Sequence, residues 1–355
     1  MKRKYYLDYL RVLSILLLFP VHTFMIWNNY GQKFYVWGGE NRVLSSLIII
    51  VNPWFMPILF VISGICARYS LERRGVKEFV NERIKKLLVP LAAGMVLLVP
   101  IQTFYARKFF LHYEGGVIDN LKYFYTHLTD FSGYDGCFTP GHLWFILFLF
   151  LISIVSLVVF KFIPYDKVSN WISKLSTWKI VSLFLVVWCM YYIGNFGGFS
   201  LGKDITLFLL GYYFFSSNEV MEKLKKSSTI LVIIFLISTI VLTISYYYYS
   251  YYGDFLVNFV GFIGVCALLA GGEKMLNKET RFINYFNKAS FPVYILHQTI
   301  LVVLGYYTLL YVRNIVGQIV IILFGSFIIT VILYEVLKRI PFVRVLIGVN
   351  IRKLN

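Results

Sequence analysis

Ten apolar stretches divide this chain: 7–27, 43–67, 87–105, 142–160, 180–194, 205–215, 229–249, 255–272, 291–311 and 317–337. A bilayer core is about 30 Å thick and a helix rises about 1.5 Å per residue, so about 20 apolar residues make one crossing. Inside hydrocarbon the backbone must satisfy its own polar groups, which leaves only helices and closed barrels. Blocks of this length select helices. The sequence therefore predicts an all-α integral membrane protein of about ten transmembrane helices. A single membrane-embedded domain covers 1–340, with a short basic tail over 341–355.

Composition removes the competing classes. Hydrophobic residues make up 59% of the 355, charged residues 14%, and mean hydropathy is +0.72. Too little charge remains to wet the surface of a soluble enzyme or to keep a chain disordered. The net charge of +17 is carried by residues placed between apolar blocks. That placement points to anionic lipid headgroups and an anionic cytoplasmic substrate, not to nucleic acid. The four cysteines (Cys66, Cys137, Cys189, Cys266) have no evident partners and read as free thiols. The first block is followed by bulky residues instead of a cleavage site, so it reads as a retained span.

Lysine and arginine set the orientation. With the N-terminus cytoplasmic, 26 of the 34 fall on inner segments and seven on outer ones, and Arg11 lies within the first span. Ten crossings then place both termini in the cytoplasm. Trp27, Trp37, Trp54 and the tyrosines 246–249, 251 and 252 gather near outer helix ends. They read as an interfacial belt or as a surface for stacking on sugars.

Several residues exceed what a plain multispanning protein needs. Arg11 and His22 share nearly one face of the first span, about 16 Å apart along its axis. Charged and ionisable groups inside a span usually face a protein interior or an aqueous path. Arg11 also reads as a snorkelling side chain paired with Asp8, and His22 as an imidazole bonded to a neighbouring helix. Pro20 predicts a kink beside His22, and Pro53 with Pro57 predicts an irregular second helix. Ser63-Gly64 admits close helix approach. Arg83 and Lys86 lie in the basic run before the third span, which reads as a topology signal or as a phosphate-binding patch. His142, followed by Trp144, opens the fourth span. His297 opens the ninth. Either histidine reads as interfacial or as a satisfied core residue. No metal-ligand spacing, phosphate-cradling glycine loop or nucleophile elbow occurs, so any chemistry takes place within the membrane.

Taken together and in order, these elements resemble the acyltransferase-3 family of multispanning bacterial O-acyltransferases. The correspondence runs through Arg11 and His22, through Phe60 to Gly64, and through Arg83 to Lys86 followed by Leu88-Val89-Pro90. The His142–Phe145 and Tyr294–His297 segments are similar to the branch containing glucan-succinylating proteins. Lys86 departs from the family pattern, which has arginine there, and keeps charge without the bidentate fork. The resemblance implies a multi-pass protein of the bacterial plasma (inner) membrane that binds no permanent cofactor. It implies transfer of an acetyl or succinyl group from cytoplasmic acyl-CoA to a hydroxyl of an extracytoplasmic glycan. His22 would be the general base, with Arg11 beside it. Arg83, Lys86 and Arg11 would hold the donor. His142, Trp144, His297 and Ser63 would contact substrate. The alternative is a transporter or flippase for a glycan or lipid precursor. It shares the topology, but usually buries more ionisable residues near the midplane.

Overall fold

A computed structural model describes residues 3–29, 34–128, 132–196 and 199–349. The end of the predicted basic tail, 350–355, lies outside the described residues. Apart from a two-strand antiparallel hairpin, β1 (Asn195–Phe196) with β2 (Phe199–Ser200), the described chain is helical.

Among the described residues, eight helices are long and apolar enough to cross a membrane. They are α1 (Tyr5–Met25), α2 (Arg42–Arg73), α3 (Val76–Leu111), α4 (Gly141–Phe162), α7 (Ser228–Tyr249), α8 (Asp254–Met275), α9 (Arg281–Tyr311) and α10 (Ile315–Leu337). The two remaining predicted blocks form shorter helices. One is α5 (Thr177–Tyr191), interrupted at Ser182-Leu183. The other is α6 (Leu201–Leu210), extended by a π turn over Gly211–Phe215. Each extends about 22 Å, against the roughly 30 Å of a hydrocarbon core. The long spans therefore number eight where the hydropathy blocks number ten.

The chain divides into two compact units. The first comprises Met1–Ser14, Ile49–Arg83 and Phe148–Asn287. Its packing rests on glycines that bring backbones together. A Cβ on Gly64 of α2 would overlap the Phe208 carbonyl oxygen of α6, and one on Gly211 would overlap the Val61 carbonyl oxygen of α2. The predicted irregularity of α2 does not occur, and the helix runs unbroken through Pro53 and Pro57. Pro57 deprives the Pro53 carbonyl of its helical donor, and Gly261 of α8 packs directly against that oxygen. A bare Cα–H can approach such a carbonyl closely, so a neighbouring helix takes over part of the lost bond.

The second unit comprises Ile15–Ile48, Ile84–Leu147 and Lys288–Asn355. One of its buried clusters joins Ile26, Trp27, Phe34, Tyr35, Val36, Leu44, Ala106, Leu301, Val302 and Ile322. Trp27 is thus a core residue, 1% exposed, and not part of an aromatic belt. Trp54 and Tyr246 of the first unit are also buried, whereas Trp37, Tyr248, Tyr249 and Tyr251 are exposed. Trp54 also lies well inside α2 rather than at its end, so position along an apolar block did not tell which aromatic rings face outward. α1 remains helical through Pro20.

Candidate active site

In the first unit, a single guanidinium gathers polar groups from three elements. Arg11 donates to Asp8 Oδ1 at 3.2 Å, to Asn287 Oδ1 at 3.3 Å and toward Cys66 Sγ at 3.4 Å. The other carboxylate oxygen of Asp8 accepts from Arg3 at 2.8 Å. The predicted Asp8 pairing is present, yet it uses only part of the Arg11 fork. Arg83 lies within electrostatic reach of Arg11 and Cys66, and its guanidinium sits 4.7 Å above the Phe79 ring. Two guanidinium charges thus act on the neighbourhood of one thiol, Arg11 by direct contact and Arg83 at longer range. Ser63 lies beside Gly64 in α2 of the same unit. Lys86 belongs to the second unit, exposed on a π turn over Ile84–Leu88. All four cysteines are free thiols.

In the second unit, three histidines from three helices stand ring to ring. His22 of α1 lies 5.3 Å from His297 of α9, and His297 lies 5.3 Å from His142 of α4, centroid to centroid. Phe34 is stacked on His22 at 5.8 Å, and Phe19 meets His297 edge-on at 5.6 Å. α9 begins at Arg281, ten residues before the apolar block that announces it. His297 is therefore mid-helix and fully buried, not at a membrane entrance. Gly141, at φ 53°, turns the chain immediately before His142. That left-handed backbone favours glycine and lets the loop deliver His142 directly into the helix bundle of this unit.

The hydrogen bonds fix two of the three tautomers. His297 Nδ1 faces the Tyr294 carbonyl at 2.6 Å, and His142 Nε2 faces the Ile295 carbonyl at 2.9 Å. A carbonyl only accepts, so each of these nitrogens carries the proton. His142 Nδ1 then accepts from Gln102 Nε2 at 3.2 Å, which also donates to Thr299 Oγ1 at 2.7 Å. Gln102 Oε1 accepts from Gln298 Nε2 at 3.1 Å, and the Tyr294 hydroxyl donates to the His142 carbonyl. His142 has both nitrogens engaged and would reach a substrate only by giving up one of these bonds. His297 keeps a bare Nε2. That atom and His22 Nδ1 are buried without a hydrogen-bond partner among the described residues. His22 itself remains partly exposed.

Gln102, Gln298 and Thr299 complete this network and escaped the sequence reading, although an amide inside an apolar block was a usable signal. Trp144 opens the α-helical part of α4 directly after His142-Leu143. Among the described residues, no three His, Cys, Asp or Glu side chains converge as a metal site.

The profile of the acyltransferase-3 family, described as an acyltransferase domain, matches residues 4–335. The chain belongs to this family, and its long apolar helices make it a multi-pass membrane protein. It is 24% identical over 168 residues to glucans biosynthesis protein C of Salmonella gallinarum. The match covers 46% of this chain and 40% of that relative, so less than half of the relative's length is represented. No solved structure matches the chain.

Proposed function

We propose that the protein moves an acyl group, acetyl or succinyl, from cytoplasmic acyl-CoA to a hydroxyl of an extracytoplasmic glycan in the bacterial inner membrane, with His22 as general base. The observation that carries this reading is the half-buried His22 ring. It lies in the helix that bears the family's Arg-x10-His pattern, and no hydrogen bond to the described residues occupies it. A neutral imidazole with a free lone pair is the form a base requires, and a base so placed is typically worth about 10²–10⁴ in rate.

The atoms balance without a further reactant. His22 takes the proton of the acceptor hydroxyl as the oxygen attacks the thioester carbonyl. The C–O bond forms, the C–S bond breaks, and the departing thiolate recovers the proton from the imidazolium. Arg11 and Arg83 supply fixed positive charge for the polyanionic donor, and Lys86 adds charge at the basic mouth of α3. Trp144 and Ser63 are assigned to substrate contacts. The acceptor is drawn from the relative's name, which concerns glucan biosynthesis.

Surface glycans from cells carrying wild type and His22→Ala test the proposal. Mass spectrometry should show an ester-linked acyl group lost in the variant while glycan export continues. Lost export with acylation unchanged would establish the transporter reading instead.

A further inference from the structure

We infer that His297 is a positioning residue for His22: its bare Nε2 accepts the Nδ1–H of His22 and so turns the His22 Nε2 lone pair to the acceptor hydroxyl. The inference rests on His22 acting as the base. Three observations support it independently of that assignment. The Tyr294 carbonyl holds the only ring proton of neutral His297 on Nδ1, so Nε2 can serve only as an acceptor. Two rings lie 5.3 Å from His297; His142 has both nitrogens engaged, and the other, His22, carries the complementary orphan Nδ1. A centroid separation of 5.3 Å allows nitrogens to come within about 3 Å once the His22 ring turns its Nδ1 toward His297, which is hydrogen-bond range. Such bonds commonly close only when substrate is bound.

Burial explains why the pair should form. An unpaired polar nitrogen in a dry interior costs about 1–3 kcal/mol, and here two such atoms sit on adjacent rings. His297 cannot swing away, because Tyr294 fixes one edge of the ring and Phe19 and His142 pack against it. His142 is held in turn by Gln102 and the Ile295 carbonyl. The network thus ends in a fixed acceptor presented to His22. When His22 becomes imidazolium, its Nδ1–H bond to His297 strengthens, stabilising the charge without a carboxylate.

The test uses the full-length protein in inverted membrane vesicles with labelled acyl-CoA, with each variant normalised to its amount in the membrane. His297→Phe keeps ring volume and removes the acceptor. His297→Gln restores an acceptor oxygen. The expected result is a kcat loss of about 10²-fold in His297→Phe at unchanged donor KM, with most of the loss recovered in His297→Gln. The double variant His22→Ala/His297→Phe should be no slower than His22→Ala alone. Wild-type kcat in His297→Phe, or equal loss in both substitutions, overturns the positioning role while the base assignment stands. An active His22→Ala overturns the base assignment itself, and the positioning role with it. If neither His297 variant accumulates, nitrogen-15 magnetic resonance of the wild type in lipid with acyl-CoA bound decides. An N–H···N correlation between two imidazoles is expected, and its absence rejects the inference.

Discussion

A guanidinium that touches a carboxylate, an amide and a thiol at once is doing something an ammonium group cannot. Arg11 reaches Asp8 and Asn287 through Nη1 and Cys66 through Nη2. Lysine at that position would keep the charge but gather its donors on one nitrogen, without the planar fork that spans these acceptors. Losing a charge-assisted bond costs about 1.5–3 kcal/mol, so Arg11→Lys should raise the donor KM by about tenfold or more. Uptake of label from acyl-CoA across a concentration series measures it, and an unchanged donor KM would remove Arg11 from the donor site. Arg11 and His22 were legible in the sequence because ionisable groups inside an apolar block stand out. The partners of His22 were harder to see. The apolar block places His297 at an entrance because the ten residues before it, 281–290, are polar enough to hide that the helix has already begun. Which nitrogen of His297 is bare depends on a carbonyl three residues back, and no residue pattern encodes that.

At the scale of elements, the helices of the first unit meet through backbone, not side chains. The Gly64–Phe208 and Gly211–Val61 approaches leave no room for a methyl group on either glycine, and the atoms in the way are carbonyl oxygens that cannot rotate aside. Gly64→Ala should therefore separate α2 from α6 and destabilise the protein by about 1–3 kcal/mol, read as a lower melting midpoint in detergent. Gly271→Ala is the control, since nothing lies within 4 Å of the added carbon. Equal midpoints for the two variants would show that the contact carries no load. The Ser63-Gly64 pair announced close packing in the sequence, although its partner did not. The π turns at Ile84–Leu88 and Gly211–Phe215 were invisible there, because one extra residue in a turn leaves apolar content unchanged.

For the molecule as a whole, the shorter pair α5 and α6 decides the topology. If both cross, the chain makes ten passes; if neither does, it makes eight. Either number is even, so both termini are expected on one side, and the excess of Lys and Arg over the predicted inner segments makes the cytoplasm the expected side. The pair also carries its own evidence. Four Lys lie in 161–179 and three in 216–228, against Lys203 alone over 192–204. That contrast follows the pattern of two inner loops around an outer one. Helices of about 22 Å are short for a roughly 30 Å core, but local thinning of the bilayer accommodates the mismatch at modest cost. An epitope inserted at the 195–200 hairpin should therefore bind an antibody added to intact spheroplasts, while C-terminal fusions of a fluorescent protein that matures only in the cytoplasm should glow. A hairpin epitope reached only after permeabilisation would reduce the count to eight and return the whole 163–227 segment to the inner face. There it would add its basic residues to the surface that meets the donor.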